Sequence, residues 1–387
     1  MTHPVVNTHV HFPPNFSAFA TVADAIQAAV AEGAATIGIS NFFDQQVYMQ
    51  FRDQAASAGV MPLYGLEFIT LIDDLAEAGI RVNDPANPGR MYLCGKGIAP
   101  FKDKPESAAQ IAAAIRSGND NRAAAMVTKI ADWFGVHGFD TGLTAASITA
   151  QVAARAQVPV AWVSLQERHI AMAFQEALAA LPLAERAAVL ERVYGAPAQA
   201  ELADPGAVQA EIRSRLVKAG TPGFVAEAPL SFQEAYAYIL DMDGIPTYPT
   251  LADGVRPLCP FEDPAPTLAA QLIERGIYAA ELIPHRNTAA CVDAYVRAFT
   301  EAGLIVMAGT EHNTPERIPF QATCLDGLVS ESSSEAFWEG SCVVAAHQHE
   351  VAAGRLGYVD AAGDLTGDHR SARRAELVAL GAGLIES

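Results

Sequence analysis

The feature that most limits how this chain can fold is an alternation. Short β-branched runs recur between Ala-rich stretches whose apolar residues are spaced three and four apart. Strands are predicted at residues 5–11, 35–41, 61–68, 91–98, 245–251, 278–284 and 304–311, with helices such as 22–32, 232–241, 267–275 and 288–302 between them. Alternation of this kind is the sequence sign of parallel strands joined by crossover helices, which makes the fold class α/β; the chain length allows one barrel with an insertion or two domains, and the barrel is the architecture expected. Between about residues 105 and 225 the strands stop and helices follow one another, at 107–116, 122–134, 167–181 and 204–218. This block reads as a helical insertion domain, 105–225, dividing a barrel made of 1–104 and 226–330. Residues 331–387 read as C-terminal helices packing on the barrel, at 335–354 and 369–384.

Composition narrows the partners. With 51% hydrophobic and 18% charged residues, the 387-residue chain can bury a large core. Its 25 basic residues face 44 acidic ones, a net charge of −19 that repels a phosphate backbone or an anionic membrane, so neither nucleic acid nor a membrane is expected as a partner. A small anionic substrate gathered by a few Arg side chains is compatible with that charge, and a homo-oligomer stays open. Cys94, Cys259, Cys291, Cys324 and Cys342 are scattered, with no Cys-x-x-Cys spacing, and read as reduced core thiols in a cytoplasmic protein. No basic region precedes a long apolar stretch at the start, and no run of about 18 apolar residues follows, so neither an export signal nor a membrane span is expected.

The chemistry is carried by strand ends. His9 and His11 stand two residues apart at the end of the first strand and project from one face, so both imidazoles can reach one divalent cation. Alone, a His-x-His pair is more often an ordinary pair of core or surface histidines. Glu67 ends the third strand and Glu311 the last, and in a β/α barrel the carboxyl ends of the strands converge on the catalytic face. Two His and two Glu make a sensible shell for a catalytic cation with room for water.

These motifs resemble the PHP (polymerase and histidinol phosphatase) superfamily of metal-dependent phosphoesterases. Asn7-Thr8-His9-Val10-His11 resembles its Asp-x-His-x-His opening, and Gly65-Leu66-Glu67 its Gly-x-Glu, whose carboxylate bridges metals. Asp243 to Pro249 is similar to the Gly-Gly-x-x-x-Ala-His-Pro strand, Gly276 to Glu281 to Gly-x-x-Gly-x-Glu, and Gly309-Thr310-Glu311-His312-Asn313 to Gly-Ser-Asp-x-His. Glu167-Arg168-His169 and Gly220 to Val225 resemble the ends of the helical insertion in members acting on small nucleotides. The resemblance implies a PHP-like distorted (β/α)7 barrel and a phosphoester substrate. It also exposes departures. Ser40-Asn41-Phe42 replaces Thr-Asp-His, while Tyr92, Tyr248 and Asn313 stand where the family has histidines. What remains is the shell of one metal, His9, His11, Glu67 and Glu311, with His312 in reach if the backbone shifts by a residue. The cofactor expected is therefore one divalent ion: Zn, Mn or Fe.

Other candidates follow from position. Tyr248, His285 and Asp253 could move protons, although Asp253-Gly254 is equally a plain turn. The resemblance implies that Lys96, Arg168, His169, Arg286, Tyr92 and Asn313 are candidate substrate contacts near the mouth, with Arg suited to gripping carboxylate or phosphate, although Arg168 and His169 open a long helix and could merely cap or cover it. His347 and His349 repeat the spacing inside a predicted helix, where residues two apart face different ways, and read as a surface pair. No Gly-rich phosphate loop and no Gly-x-Ser-x-Gly elbow is present. Three readings result: a metal-dependent hydrolase on a small anionic metabolite; a metal-dependent lyase, isomerase or lactonase on a sugar acid or similar carbonyl compound; and a non-catalytic metal- or ligand-binding module.

Overall fold

The computed structural model describes residues 3–367 and 372–387, so the first three positions of the helix expected from 369 lie outside the described residues. The chain divides into two compact units, one of residues 1–12, 22–112 and 229–387, the other of 13–21 and 113–228.

The first unit is a mixed α/β barrel. Its elements begin β1 (Val5–Val10), α1 (Val22–Ala31), β2 (Ala34–Phe42), α2 (Tyr48–Ser57), β3 (Met61–Leu71), α3 (Asp73–Glu77) and β4 (Arg90–Lys96). The chain then leaves along α4 (Glu106–Val136), which continues into the second unit and is followed there by α5 (Ala145–Ala156), α6 (Glu167–Ala179), α7 (Leu183–Tyr194) and α8 (Pro205–Ile212). It returns through β5 (Leu230–Ser231), α9 (Phe232–Asp241), β6 (Ile245–Thr250), α10 (Ala265–Glu274), β7 (Ala279–Leu282), α11 (Ala289–Ala302) and β8 (Ile305–Ala308). A small hairpin, β9 (Thr323–Cys324) and β10 (Gly327–Leu328), precedes α12 (Glu331–Ala352) and α13 (Ala372–Ile385).

The sheet runs β1-β2-β3-β4-β6-β7-β8, and a parallel bridge between Val10 and Glu311 nearly closes it into a barrel surrounded by helices. Six of these strands are parallel, as their alternation with helices predicts, whereas β4 lies antiparallel to both β3 and β6. The reason is the β3–β4 connection. It holds only the five-residue α3 and no helix that packs across the sheet as a crossover, and the chain folds back on β3 instead. The distortion matters below, because it turns the carboxyl end of β4 away from the carboxyl ends of its neighbours.

One face of the sheet is covered by α12. Leu63, Ile245, Ala279, Ile305 and Met307 form a single buried cluster with Trp338, Cys342, Val343 and Val344 of α12 and Leu377 and Ile385 of α13. His347 is inside this packing at 1% exposure, so the surface reading of the His347/His349 pair holds for His349 alone. Its Nε2 donates to the Asp243 carbonyl (2.7 Å) and its Nδ1 accepts from the Tyr358 amide (2.8 Å). Burial pushes its pKa down to about 4. Because this lies below the unfolded value of about 6.5, the unfolded state binds the extra proton and stability falls as pH drops through that window. Between pH 7 and pH 5 this one ring is expected to cost about 2 kcal/mol. Urea unfolding at the two pH values should show the loss, and His347→Gln should flatten the difference.

The second unit is helical around Met126, Ile130, Phe134, Ile148, Ile170, Phe174, Leu190 and Ile212. Glu167 at the start of α6 receives Arg122 (2.8 Å) and Lys218 (2.7 Å). Burial lifts its carboxyl, but these cations more than offset it and hold it at about 2. Among the described residues no helix is long and apolar enough to cross a membrane.

Candidate metal centre

The centre is assembled by the barrel closure. The His9 carbonyl accepts from the amides of Thr310 (3.1 Å) and Glu311 (2.8 Å), and the His11 amide donates to the Glu311 carbonyl (2.8 Å). To make these bonds Glu311 and His312 adopt left-handed conformations, φ 60° and 50°. Such backbone costs non-glycine residues about 1 kcal/mol or more each and persists where the surroundings enforce it.

On this frame the two imidazoles meet: His9 Nε2 lies 3.4 Å from His11 Nε2, and His11 Nε2 lies 3.6 Å from Glu67 Oε2. These three side chains are buried, and their ligand atoms all fall within 4.8 Å of one another. Glu311, the fourth member of the expected shell, is buried as well. Its Oε2 receives Arg286 (2.6 Å) and Asn313 Nδ2 (2.7 Å). His312 faces away. Its Nδ1 meets the Thr310 hydroxyl (2.7 Å), its Nε2 donates to the Ile318 carbonyl (2.9 Å), and its ring stacks on Phe320.

The residue that sequence reasoning left out of the site is Glu281. Its Oε2 takes His9 Nδ1 at 2.6 Å, and its Oε1 takes the Thr8 hydroxyl (2.6 Å) and the Lys96 ammonium (2.9 Å). A carboxylate on Nδ1 makes that nitrogen the N–H donor and leaves Nε2 of the neutral ring with its lone pair toward His11, the tautomer a metal needs. The signal was present: Glu281 is the one charged residue of β7, a wholly buried strand, and a buried acid must find a partner.

The electrostatics suit a cation. Burial, and behind it the charge of Glu311, pushes the Glu67 carboxyl well above the usual range. Burial also lifts Glu281 and Glu311, but Lys96 and His9 hold the first at about 2, and Arg286 with the two histidines holds the second at about 2. Three buried carboxylates thus face two fixed cations, and a divalent ion would neutralise the excess while ionising Glu67. The donor set of two imidazoles and one carboxylate fits such an ion. Cys94, opposite Glu67 in the β3–β4 register, forms a second close group with His9 and Glu281, with burial pushing its thiol up.

The remaining candidates separate by position. Lys96 is not at the mouth. Because β4 is antiparallel, its last residue pairs with Gly65 inside the barrel, where Lys96 is 1% exposed, while Tyr92 pairs with Ile69 toward the carboxyl end of β3 and stays half-buried. The Tyr248 hydroxyl donates to Glu262 Oε1 (2.9 Å), and burial raises its pKa well above normal, so its proton is committed. Glu262, unforeseen because it lies on a loop, is fully buried and pushed up to about 7 by that burial. Asp253 accepts from the Thr288 hydroxyl (2.8 Å) and amide (3.1 Å) and from Asn287 (3.2 Å), which ties it to the start of α11 rather than leaving it as a base. His285 is pushed down to about 4 by burial and by Arg286, and its buried Nδ1 has no hydrogen-bond partner among the described residues. Arg168 and His169 belong to the second unit. Arg168 lies 6.0 Å over the Phe16 ring, and the buried His169 accepts the Gln166 amide at Nδ1 (3.1 Å) as part of the α6 capping box.

No family profile and no curated protein matches the chain. Solved structures do. A protein from Bifidobacterium adolescentis provisionally assigned as a metal-dependent phosphoesterase aligns with a TM-score of 0.58 at 15% identity, over 87% of this chain and 98% of its own. An amidohydrolase from Chromobacterium violaceum, solved with bound sulfate and no metal, aligns with a TM-score of 0.53 at 15% identity, over 82% and 93%. At this identity the likeness establishes a distorted (β/α) barrel of the kind found in those hydrolases.

Proposed function

We propose that the chain is a PHP-like metal-dependent hydrolase that uses one divalent cation and acts on a small anionic substrate, with a phosphoester as the first candidate. The observation that carries this reading is the convergence of His9 Nε2, His11 Nε2 and Glu67 Oε2 at the mouth of the barrel, with Glu281 fixing the His9 tautomer. When bound there, a divalent cation supplies Lewis acidity, acidifying water and polarising a phosphoryl or carbonyl oxygen. The chain's own residues do the rest. Arg286, one-third exposed beside Glu311, offers a guanidinium to an anionic group, and Asn313 holds the same carboxylate in place. His285, neutral near pH 7, presents a buried ring nitrogen able to take or give a hydrogen bond at the substrate. The fold shared with a phosphoesterase and an amidohydrolase supports hydrolysis in general.

The commitment of Tyr248 to Glu262 removes one of the two groups, Tyr248 or His285, that could move protons in the lyase, isomerase or lactonase reading. Protein purified without added metal is expected to carry about one equivalent of Zn, Mn or Fe, and phosphomonoesters are expected to turn over where lactones and sugar acids do not. Absence of any tightly held metal would leave the binding-module reading.

A further inference from the structure

We propose that Lys96 is a built-in second cation, which fixes the centre at one metal ion by filling a neighbouring cation niche with its own ammonium. Its Nζ is surrounded by three oxygens from three other strands: Glu281 Oε1 of β7 (2.9 Å), the Thr8 carbonyl of β1 (2.8 Å) and the Ser40 hydroxyl of β2 (2.8 Å). The side chain reaches them only because β4 runs backwards and points its last residue into the barrel.

The niche is also built from the outside. A glycine lies against each oxygen: a Cβ at Gly38 would collide with the Thr8 carbonyl, one at Gly65 would meet the Gly95 carbonyl (2.8 Å) and Ser40 Oγ (3.0 Å), and one at Gly309 would collide with His9 Cβ and stand 3.2 Å from Glu281 Oε1. An oxygen cage holding one carboxylate is what a hard divalent ion selects. An ammonium in that cage contributes one positive charge and no open position for water. Glu281 joins the two cation sites, with Oε1 on Lys96 and Oε2 on the imidazole that would hold the metal. Lys96 is therefore a positioning residue that acts through Glu281 and His9.

This inference rests on the single-cation reading of the same site, and the test separates the two. Wild-type protein and Lys96→Ala are dialysed against Mn²⁺, and bound metal is counted by elemental analysis, with electron paramagnetic resonance reporting spin coupling between adjacent Mn²⁺ ions. The expected result is one equivalent in the wild type, two coupled ions in Lys96→Ala, and one again in Lys96→Ala/Glu281→Gln. A wild type that binds none defeats the metal reading itself. A wild type that binds one while Lys96→Ala also binds one overturns the role of Lys96 and leaves the metal reading standing. If Lys96→Ala is insoluble without metal, recovery of folded protein when Mn²⁺ is supplied during expression supports the niche. Failure to recover, while the double variant folds, overturns it.

Discussion

His9→Ala is expected to strip the protein of its metal and abolish turnover, and His11→Ala to do the same, whereas His312→Ala should retain the metal. The first two rings supply the facing Nε2 atoms at 3.4 Å, whereas His312, the other ring expected in the shell, is held on Thr310 and Ile318. Removing His9 also deprives Glu281 Oε2 of its donor. Losing His312 should instead cost about 1–3 kcal/mol through two buried hydrogen bonds. Elemental analysis beside thermal unfolding separates the two outcomes. Metal loss from His312→Ala with His9→Ala unaffected would reverse the assignment.

The contrast between these histidines shows what a sequence can and cannot say about such a site. Spacing along β1 was enough to bring His9 and His11 together, since a strand repeats every two residues. Spacing after β8 was not, because the chain there leaves the strand through two left-handed residues, Glu311 and His312, and no periodicity survives such a turn. The seven barrel strands were legible because β-branched runs mark them, and all seven form. The direction of β4 was not, since the same alternation of side chains serves a strand read either way and the connection from β3 carries no crossover helix to mark it. Lys96 therefore reaches the centre from inside the barrel, with its ammonium on Glu281, rather than from the mouth. His347 was misread for a related reason: α12 is packed against both the sheet and α13, so its polar residues do not mark a single solvent face.

Glu281→Ala is the substitution expected to damage the molecule most broadly, because that carboxylate serves stability and the metal centre at once. Its side chain is fully buried between Lys96 and His9, and losing it leaves the Lys96 ammonium without its charge partner in the barrel interior. Breaking a buried pair from one side costs about 3–5 kcal/mol. The sign with pH is definite: the carboxyl is held at about 2 in the folded state, against an unfolded value near 4.3. Its contribution is thus complete above about pH 4.3 and fades only as pH falls toward 2, so the full loss should register in urea unfolding at pH 7 as a lower midpoint with an unchanged slope. Glu281→Gln should be milder, since an amide oxygen still accepts a hydrogen bond, yet metal affinity should fall about 10–100-fold because the His9 tautomer is no longer enforced by charge. Adding Lys96→Met to Glu281→Ala should recover part of the stability and none of the metal affinity, because an apolar pair can replace a buried ion pair in packing but cannot orient an imidazole. Stability and metal affinity that rise and fall together across these variants would contradict that division of labour.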